Sequence, residues 1–483
     1  LTANAQGQEG LLVPSHFIRA VRESGYLSIS TALAELVDNS LQAKASEVAI
    51  TISRLTSDAL PEITVQDNGI GMTKPELEQC LRFGGSSRFD ARQSFGRFGM
   101  GLPAASLSQA RRVEVTAWRN AGFEQTVSLD VDEIMAGSVP ALVARRGGRG
   151  TGASGCRVHW RECDRIEYRR LAWLERALHR DLGRLYRRFI ADGLSINING
   201  FRIAAVDPTL RTTKLEGASA VLAFDELRYE LEASDGHTSV VTVRFTMLPV
   251  HSWQGLDNVT KRRIGIVGGG GVSILRAGRE IASGWHLMGA KRRENYDDWW
   301  RCEIEFDPRL DEHFGITINK QGIRPSAVLR EALEPDLESV ARLLNARVRQ
   351  AFEDVKFQAA AEKSCRIAAA ADPDLPLISS RGPSGAINYR IGSDALPMKA
   401  MFRSKLAQRT LDLTLNVDHP AFAALYQPLQ GIEGDVAAEL RTSIELFLLS
   451  FARSAAQLER DGQRIDDLLE AWSDTYRRML QKS

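Results

Sequence analysis

Long hydrophobic runs, paired cysteines and an excess of either charge are all missing from this chain of 483 residues. No stretch approaches the roughly 18 consecutive apolar residues of a membrane-spanning helix, and the opening residues lack the charged-then-apolar pattern of a secretory leader. Five cysteines, Cys80, Cys156, Cys163, Cys302 and Cys365, are scattered without a CxxC pair. That spacing argues against a disulfide framework and a cysteine zinc site, and predicts a reduced, cytoplasmic protein with no membrane anchor. With 62 basic and 61 acidic residues, the net charge of +1 excludes a surface coated in cations, though not a local basic patch. There is no internal repeat and no heptad run long enough for a coiled coil. What remains is ordinary globular composition, 43% hydrophobic and 25% charged, enough chain for about three domains with cores of their own. The chain opens on Leu1, so its natural start is expected to be trimmed.

Along residues 1–170, helical patterns at 14–26 and 28–44 alternate with strand patterns at 48–52, 62–67, 111–118, 123–131 and 156–160. Helices and a mostly antiparallel sheet predict an α+β layer arrangement. Residues 171–330 read as a second domain. An amphipathic helix over 173–193 ends at Gly193, and strands follow at 195–200, 240–250, 265–281 and 302–307. This part carries two basic clusters, Lys261-Arg262-Arg263 and Lys291-Arg292-Arg293, which could touch a phosphate backbone. Residues 331–483 read as a mostly helical C-terminal domain. It contains a long helix over 326–369, a Pro/Ser/Gly linker at 372–385, two strands, and closing helices at 433–456 and 459–481.

Four segments carry chemistry. In ALAELVDNSLQAKAS (32–46), Glu35, Asp38 and Asn39 stand at i, i+3 and i+4 and share a helix face. That offers a carboxylate base beside a neutral oxygen ligand for a hard cation. In VQDNGIGM (65–72) a strand ends on Asp67, and Gly69 and Gly71 permit a tight turn or close approach of a ligand ring. FGGSSRFDARQSFGRFGMGLPAAS (83–106) brings Gly84, Gly85, Gly96, Gly99 and Gly101 to a helix start near Leu102, where freed backbone N–H groups suit an anion. GRGTGASG (148–155) precedes a strand and offers the Thr151 hydroxyl.

Helical E-x-x-D-N, strand-ending D-x-G-x-G, a loop with G-x-x-G-x-G and a late Gly-Thr, in this order, resemble the GHKL ATPases, the group of gyrase B, heat-shock chaperone, histidine kinase and MutL. The resemblance implies a Bergerat-type ATP-binding α/β sandwich and the cofactors ATP and Mg²⁺. It makes Glu35 the general base that activates water and Asn39 the Mg²⁺ ligand. Asp67 would read the adenine amine, with Gly69, Gly71 and Met72 lining the base pocket and Thr151 bonding nearby. Gly96, Gly99 and Gly101, with the adjoining Met100 and Leu102, would cradle phosphates at the hinge of a lid spanning about 84–100. One departure is Gln42, where many relatives have Asp.

Only 34 residues precede Glu35 in this chain, which disfavours a sensor kinase with its phosphoacceptor helices. Residues 171–330 resemble a βαβ transducer domain, and FGITINKQGIRPS (314–326) looks most like MORC-type proteins, with Lys320 the implied γ-phosphate contact. The expectation is an ATP-dependent homodimer that clamps DNA in genome maintenance or phage defence. The alternatives are a heat-shock-type chaperone clamping a protein client, or an ATP-gated switch with little turnover that docks a protein partner through 331–483.

Overall fold

The computed structural model describes residues 13–26, 28–56, 58–85, 100–138, 141–168, 170–316, 322–375, 387–397, 399–430 and 435–458, with Asp466 and Leu469. The chain divides into two compact units, Leu1–Leu344 and Asn345–Ser483. It is mixed α+β, with a large, mostly antiparallel sheet and a helix-rich C-terminal region.

In the first unit, eight strands are joined in one sheet: β1 (Glu47–Ser53), β2 (Glu62–Asp67), β3 (Arg112–Trp118), β4 (Phe123–Asp130), β5 (Arg145–Arg149), β6 (Gly155–Arg161), β7 (Ser195–Ile198) and β8 (Phe201–Arg202). Their order is β5-β4-β3-β6-β2-β1-β7-β8, antiparallel except where β1 meets β7. The sheet therefore continues past residue 170 to Arg202. Alternation explains why one face is covered: Val48, Ile50 and Ile52 of β1, Ile63 and Val65 of β2, and Val158 and Trp160 of β6 are buried, while their neighbours are more open.

Helices α1 (Pro14–Ser24), α2 (Ile29–Gln42), α3 (Lys74–Gln79), α4 (Gly101–Gln109), α5 (Val131–Met135), α6 (Leu171–Leu185) and α7 (Arg187–Ala191) accompany this sheet. Ile29, Leu33, Leu36 and Val37 of α2 enter the same core as Leu174, Leu178 and Leu182 of α6. The start of α2 is set by Ser28, whose hydroxyl accepts from Thr31 N at 3.2 Å. Arg22 of α1 donates to Leu107 O and Ala110 O, both at 2.8 Å, at the C-terminal end of α4. Trp160 Nε1 donates to Ser106 Oγ at 2.9 Å and fixes α4 on the sheet.

A second sheet in the same unit contains β9 (Val221–Leu222), β10 (Leu227–Glu232), β11 (Thr238–Met247), β12 (Gly271–Arg276), β13 (Arg279–Gly284) and β14 (Trp300–Phe306). Its order is β10-β11-β14-β12-β13, with β9 on β11. Leu329, Leu333, Leu337, Ala341 and Leu344, from the start of the helix Ala327–Ala371, complete its core. The glycine-rich stretch expected as one strand over 265–281 is divided. Residues 265–270 form a loop, in which Gly268 N and Gly270 N donate to Asp298 at 3.1 and 3.3 Å. Then β12 and β13 turn at Ala277 (φ 48°) and Gly278 (φ 83°).

The second unit contains a three-stranded sheet, β15 (Asn388–Asp394), β17 (Thr410–Asn416) and β16 (Phe402–Ala407) in that order. Ile391, Phe402, Leu411, Leu413, Leu449 and Ala452 lie in its core. The helix expected over 433–456 is observed as Asp435–Leu458. The closing helix expected over 459–481 lies outside the described residues, apart from Asp466 and Leu469.

Candidate functional site

The site begins with α2, because its three polar residues do three different things. Glu35 is buried at 3% exposure, and the Tyr26 phenol, also buried, is hydrogen-bonded to it. Burial, then the Glu35 and Asp38 carboxylates, push the Tyr26 phenol far up, so Tyr26 stays a neutral donor at physiological pH. Gln109 Nε2 holds the Tyr26 carbonyl at 3.1 Å, which ties this donor to the end of α4. Asp38 is fully buried. Tyr186 Oη lies 2.7 Å from Asp38 Oδ1, and Arg279 Nε 2.8 Å from the same oxygen. Asn39 is half-buried, and its carboxamide makes no hydrogen bond among the described residues. A neutral carboxamide oxygen left open in this way fits the hard-cation chemistry of Mg²⁺.

One residue further along, Ser40 links α2 to the end of β2. Its hydroxyl lies 3.0 Å from Leu36 O and 3.0 Å from Asp67 Oδ2. Asp67 Oδ1 accepts from Gly69 N at 2.8 Å, closing an Asx-type turn. Burial raises the Asp67 pKa from its ordinary value, against the pull of hydrogen bonds from Gly69, Ser40 and the Cys156 backbone. Gly71 (φ +67°) cannot carry a side chain, since a Cβ would lie 2.1 Å from Trp118 O. Ser154 Oγ donates to Gly69 O at 2.7 Å and holds the turn from β6's side. Met72 is partly buried against the core.

The third wall is the start of α4. Met100 occupies the N-cap without a side-chain hydrogen bond, and Pro103 has no N–H, so Gly101 and Leu102 supply the backbone donors of the first turn. A Cβ on Gly101 would lie 2.5 Å from Glu35 Oε2. The helix start and the Glu35 carboxylate therefore touch only because residue 101 is glycine. Gly101→Ala is expected to displace the carboxylate. Turnover should fall by at least about tenfold, while overpacking of roughly 1–3 kcal/mol lowers Tm by several degrees. Phosphate release and thermal melting on the same preparation check both numbers.

The structure places Glu35 and Asn39 along α2, Asp67 at the end of β2 with Gly69, Gly71 and Met72 following it, and Met100, Gly101 and Leu102 at the start of α4, with α2 meeting α4 through Glu35 and the Asp67 turn through Ser40. Thr151 is arranged differently. Its hydroxyl is 3.5 Å from Gln66 Nε2, and Gln66 lies on the opposite face of β2 from Asp67 by strand alternation. Gly96, Gly99 and Lys320 lie outside the described residues. Sequence reasoning missed Tyr26, Ser40 and Ser154. Of these, Ser40 was the most accessible, as it directly follows Asn39 on a helix whose other face is apolar.

The basic clusters of the second sheet are partly consumed internally. Lys291 is buried and paired with Asp297 at 2.7 Å, Lys261 Nζ donates to Gln254 O at 2.5 Å, and Arg293 pairs with Asp298 at 3.1 Å. Arg262, Arg263 and Arg292 remain exposed.

An α+β layer thus brings together a buried helix carrying Glu35 and Asn39, a strand-ending Asp-x-Gly turn and a glycine-started helix. Residues 27–144 match the model of the family described as histidine kinase-, DNA gyrase B-, and HSP90-like ATPase. That segment contains α2, the Asp67 turn and α4, and the match supports ATP binding and hydrolysis there. No curated protein matches the chain.

Proposed function

We propose that this chain binds Mg-ATP between α2, the Asp67 turn and the start of α4, and hydrolyses it to ADP and phosphate. The observation that carries this reading is that one helix organises all three jobs. Through Glu35 α2 meets the glycine start of α4, through Asn39 it presents a half-buried carboxamide that is unbonded among the described residues, and through Ser40 it holds Asp67. Asp67 accepts from the adenine amine while its other lone pairs hold Gly69 N and Ser40 Oγ. Gly71 and Met72 line the base, and the Gly101 and Leu102 amides face the phosphates. Asn39 would hold the Mg²⁺ ion, which when bound supplies charge neutralisation on the phosphates. Glu35 takes a proton from the water that attacks the γ-phosphorus, as the bond from that phosphorus to the bridging oxygen breaks and ADP leaves. Gly96, Gly99 and Lys320 are proposed for the lid and the γ-phosphate contact on the resemblance alone.

At the level of the whole chain the reading is an ATP-dependent homodimer of the MORC-like kind that encloses DNA. Residues 171–330 would act as the transducer and 331–483 as a partner-binding domain. The exposed Arg262, Arg263 and Arg292 support contact with phosphate backbones, although the internal pairing of Lys261, Lys291 and Arg293 leaves this basic surface smaller than the sequence suggests. Light scattering on Glu35→Ala with and without Mg-ATP, followed by closed-circular and linear DNA, tests it. The clamp predicts a nucleotide-dependent dimer that stays on circles through a salt wash and slides off linear ends. A dimer indifferent to DNA would favour a protein client, and a monomer under every condition would contradict dimerisation.

A further inference from the structure

The most completely buried charges near the candidate site are not in it. Asp38 sits on α2 between Glu35 and Asn39, is inaccessible to solvent, and is held by side chains supplied by two other parts of the chain. Tyr186, which ends α6, sends its hydroxyl to within 2.6 Å of Ala34 O and 2.7 Å of Asp38 Oδ1. Arg279, the first residue of β13, brings Nε to 2.8 Å from Asp38 Oδ1, with 5% of its side chain exposed. Burial alone would lower the Arg279 pKa, but Asp38, then Tyr186 and Glu35, raise it beyond the ordinary guanidinium value. The cation is therefore permanent and lies within electrostatic range of the Glu35 carboxylate.

Arg279 reaches α2 because of where its strand is anchored. The two-residue turn at Ala277 and Gly278 lies against α7, with the Phe189 ring 3.7 Å from the position of a Gly278 Cβ. The next residue, Glu280, is held from α6 by Arg184 at 2.7 Å and from α7 by Arg187. Arg187 also reaches Glu303 of β14 at 2.5 Å, and Arg188 reaches Glu305 at 2.5 Å. The second sheet is thus locked to α6 and α7 by a charged network. It reaches α2 through the guanidinium of Arg279 on Asp38. A single turn of α2 carries Glu35, Asp38 and Asn39, so any shift of Asp38 also shifts the two side chains on either side of it.

We propose that Arg279 and Tyr186 are positioning residues for ATP hydrolysis: by holding Asp38 they fix the turn of α2 that aims Glu35 and Asn39, and so make turnover depend on the second sheet. The proposal rests on the ATPase reading and deepens it. Neither residue touches the nucleotide pocket, so the predicted signature is a split between rate and affinity. Adenine recognition by Asp67 rests on the turn at Gly69, which Ser154 holds from outside α2, and is retained. The aim of the base, where small displacements are costly, is lost.

Tyr186→Phe is the primary test, since it keeps the ring and removes only the hydroxyl. We expect kcat to fall about tenfold with the Kd for Mg-ATP within about twofold of wild type, as for loss of an interaction that matters only in the transition state. Arg279→Gln leaves Asp38 buried without its cation, and is expected to lose more turnover and to melt lower. Arg279→Lys should restore melting and part of kcat. The double variant Tyr186→Phe/Arg279→Lys should be less impaired than the product of the single effects, since both act through Asp38. A purely structural role would instead lower melting in step with active fraction and leave kcat per folded molecule unchanged. Wild type and Glu35→Ala are run in the same assay. If wild type turns over and folded Tyr186→Phe matches it, the positioning role is overturned and the ATPase reading stands. If wild type releases no more phosphate than Glu35→Ala, the ATPase reading fails and the positioning role falls with it.

Discussion

Glu35→Ala is expected to abolish ATP hydrolysis while leaving Mg-ATP binding close to wild type. The carboxylate is buried against the first residue of α4, where the backbone donors suited to phosphate begin, so in the proposed complex it would stand beside the reacting end of the nucleotide rather than its base. Loss of a general base costs roughly 10²- to 10⁴-fold in rate. Affinity should hold, because adenine recognition is assigned to Asp67 in the proposed complex and removal of a negative charge near the phosphates would oppose nothing in binding. Glu35→Gln is the companion variant, since it keeps an acceptor for the Tyr26 phenol and separates loss of base from loss of packing. Phosphate release and calorimetric titration with Mg-ATP read the two quantities. A folded Glu35→Ala protein that cannot bind ATP would show that the carboxylate belongs to binding, and the assigned role would be wrong.

Asp67→Asn is expected to remove nucleotide binding without unfolding the protein. The aspartate accepts from Ser40 and Gly69, and in the proposed complex would also accept from the adenine amine. An amide in its place presents a donor to a donor in a desolvated site. A mismatch of this kind costs at least about a hundredfold in affinity. Stability should move the other way. Burial holds the Asp67 pKa above its unfolded value, so the folded chain binds this proton more tightly than the unfolded one. The associated stability is present at low pH and is lost as pH rises through the folded pKa. Asn does not titrate, so the variant should melt at or above wild type at neutral pH and below it in relative terms on acidification. Wild-type nucleotide affinity should weaken on acidification as Asp67 takes up its proton, at a pH higher than for the same carboxyl free in water. Full affinity in Asp67→Asn would mean the adenine pocket lies elsewhere.

Much of this architecture was legible before any coordinates. Strongly alternating segments such as 48–52 and 62–67 became β1 and β2 nearly residue for residue, because one buried face demands period two. Strands without that signal were missed. β5 is Arg145-Arg146-Gly-Gly-Arg149, exposed throughout, and is a strand only because β4 offers it a partner. β16 is likewise mostly polar and held by β17. The glycines at 268–270 read as part of one strand over 265–281, whereas the Gly268 and Gly270 amides turn towards Asp298, a partner 28 to 30 residues away.

At the site, Glu35, Asn39 and Asp67 were accessible because their spacing within single elements fixes their faces. Asp38 was visible as part of the same motif, yet its function was not. Its partners Tyr186 and Arg279 lie 148 and 241 residues downstream, on elements whose packing no local pattern encodes. Thr151 was chosen for its hydroxyl next to glycine, while the hydroxyl bonded to the Asp67 turn belongs to Ser154, three residues later. That choice depended on the register of β6 against β2, which pairs Asp67 with Cys156.

Hydrogen exchange of the amides, with and without a non-hydrolysable Mg-ATP analogue, tests the central claim most directly because it locates the nucleotide. The account predicts added protection at 67–72, at 100–104 and along the C-terminal half of α2, with the same peptides unchanged in Asp67→Asn. Protection confined to other segments, or the same protection in Asp67→Asn as in wild type, would contradict it.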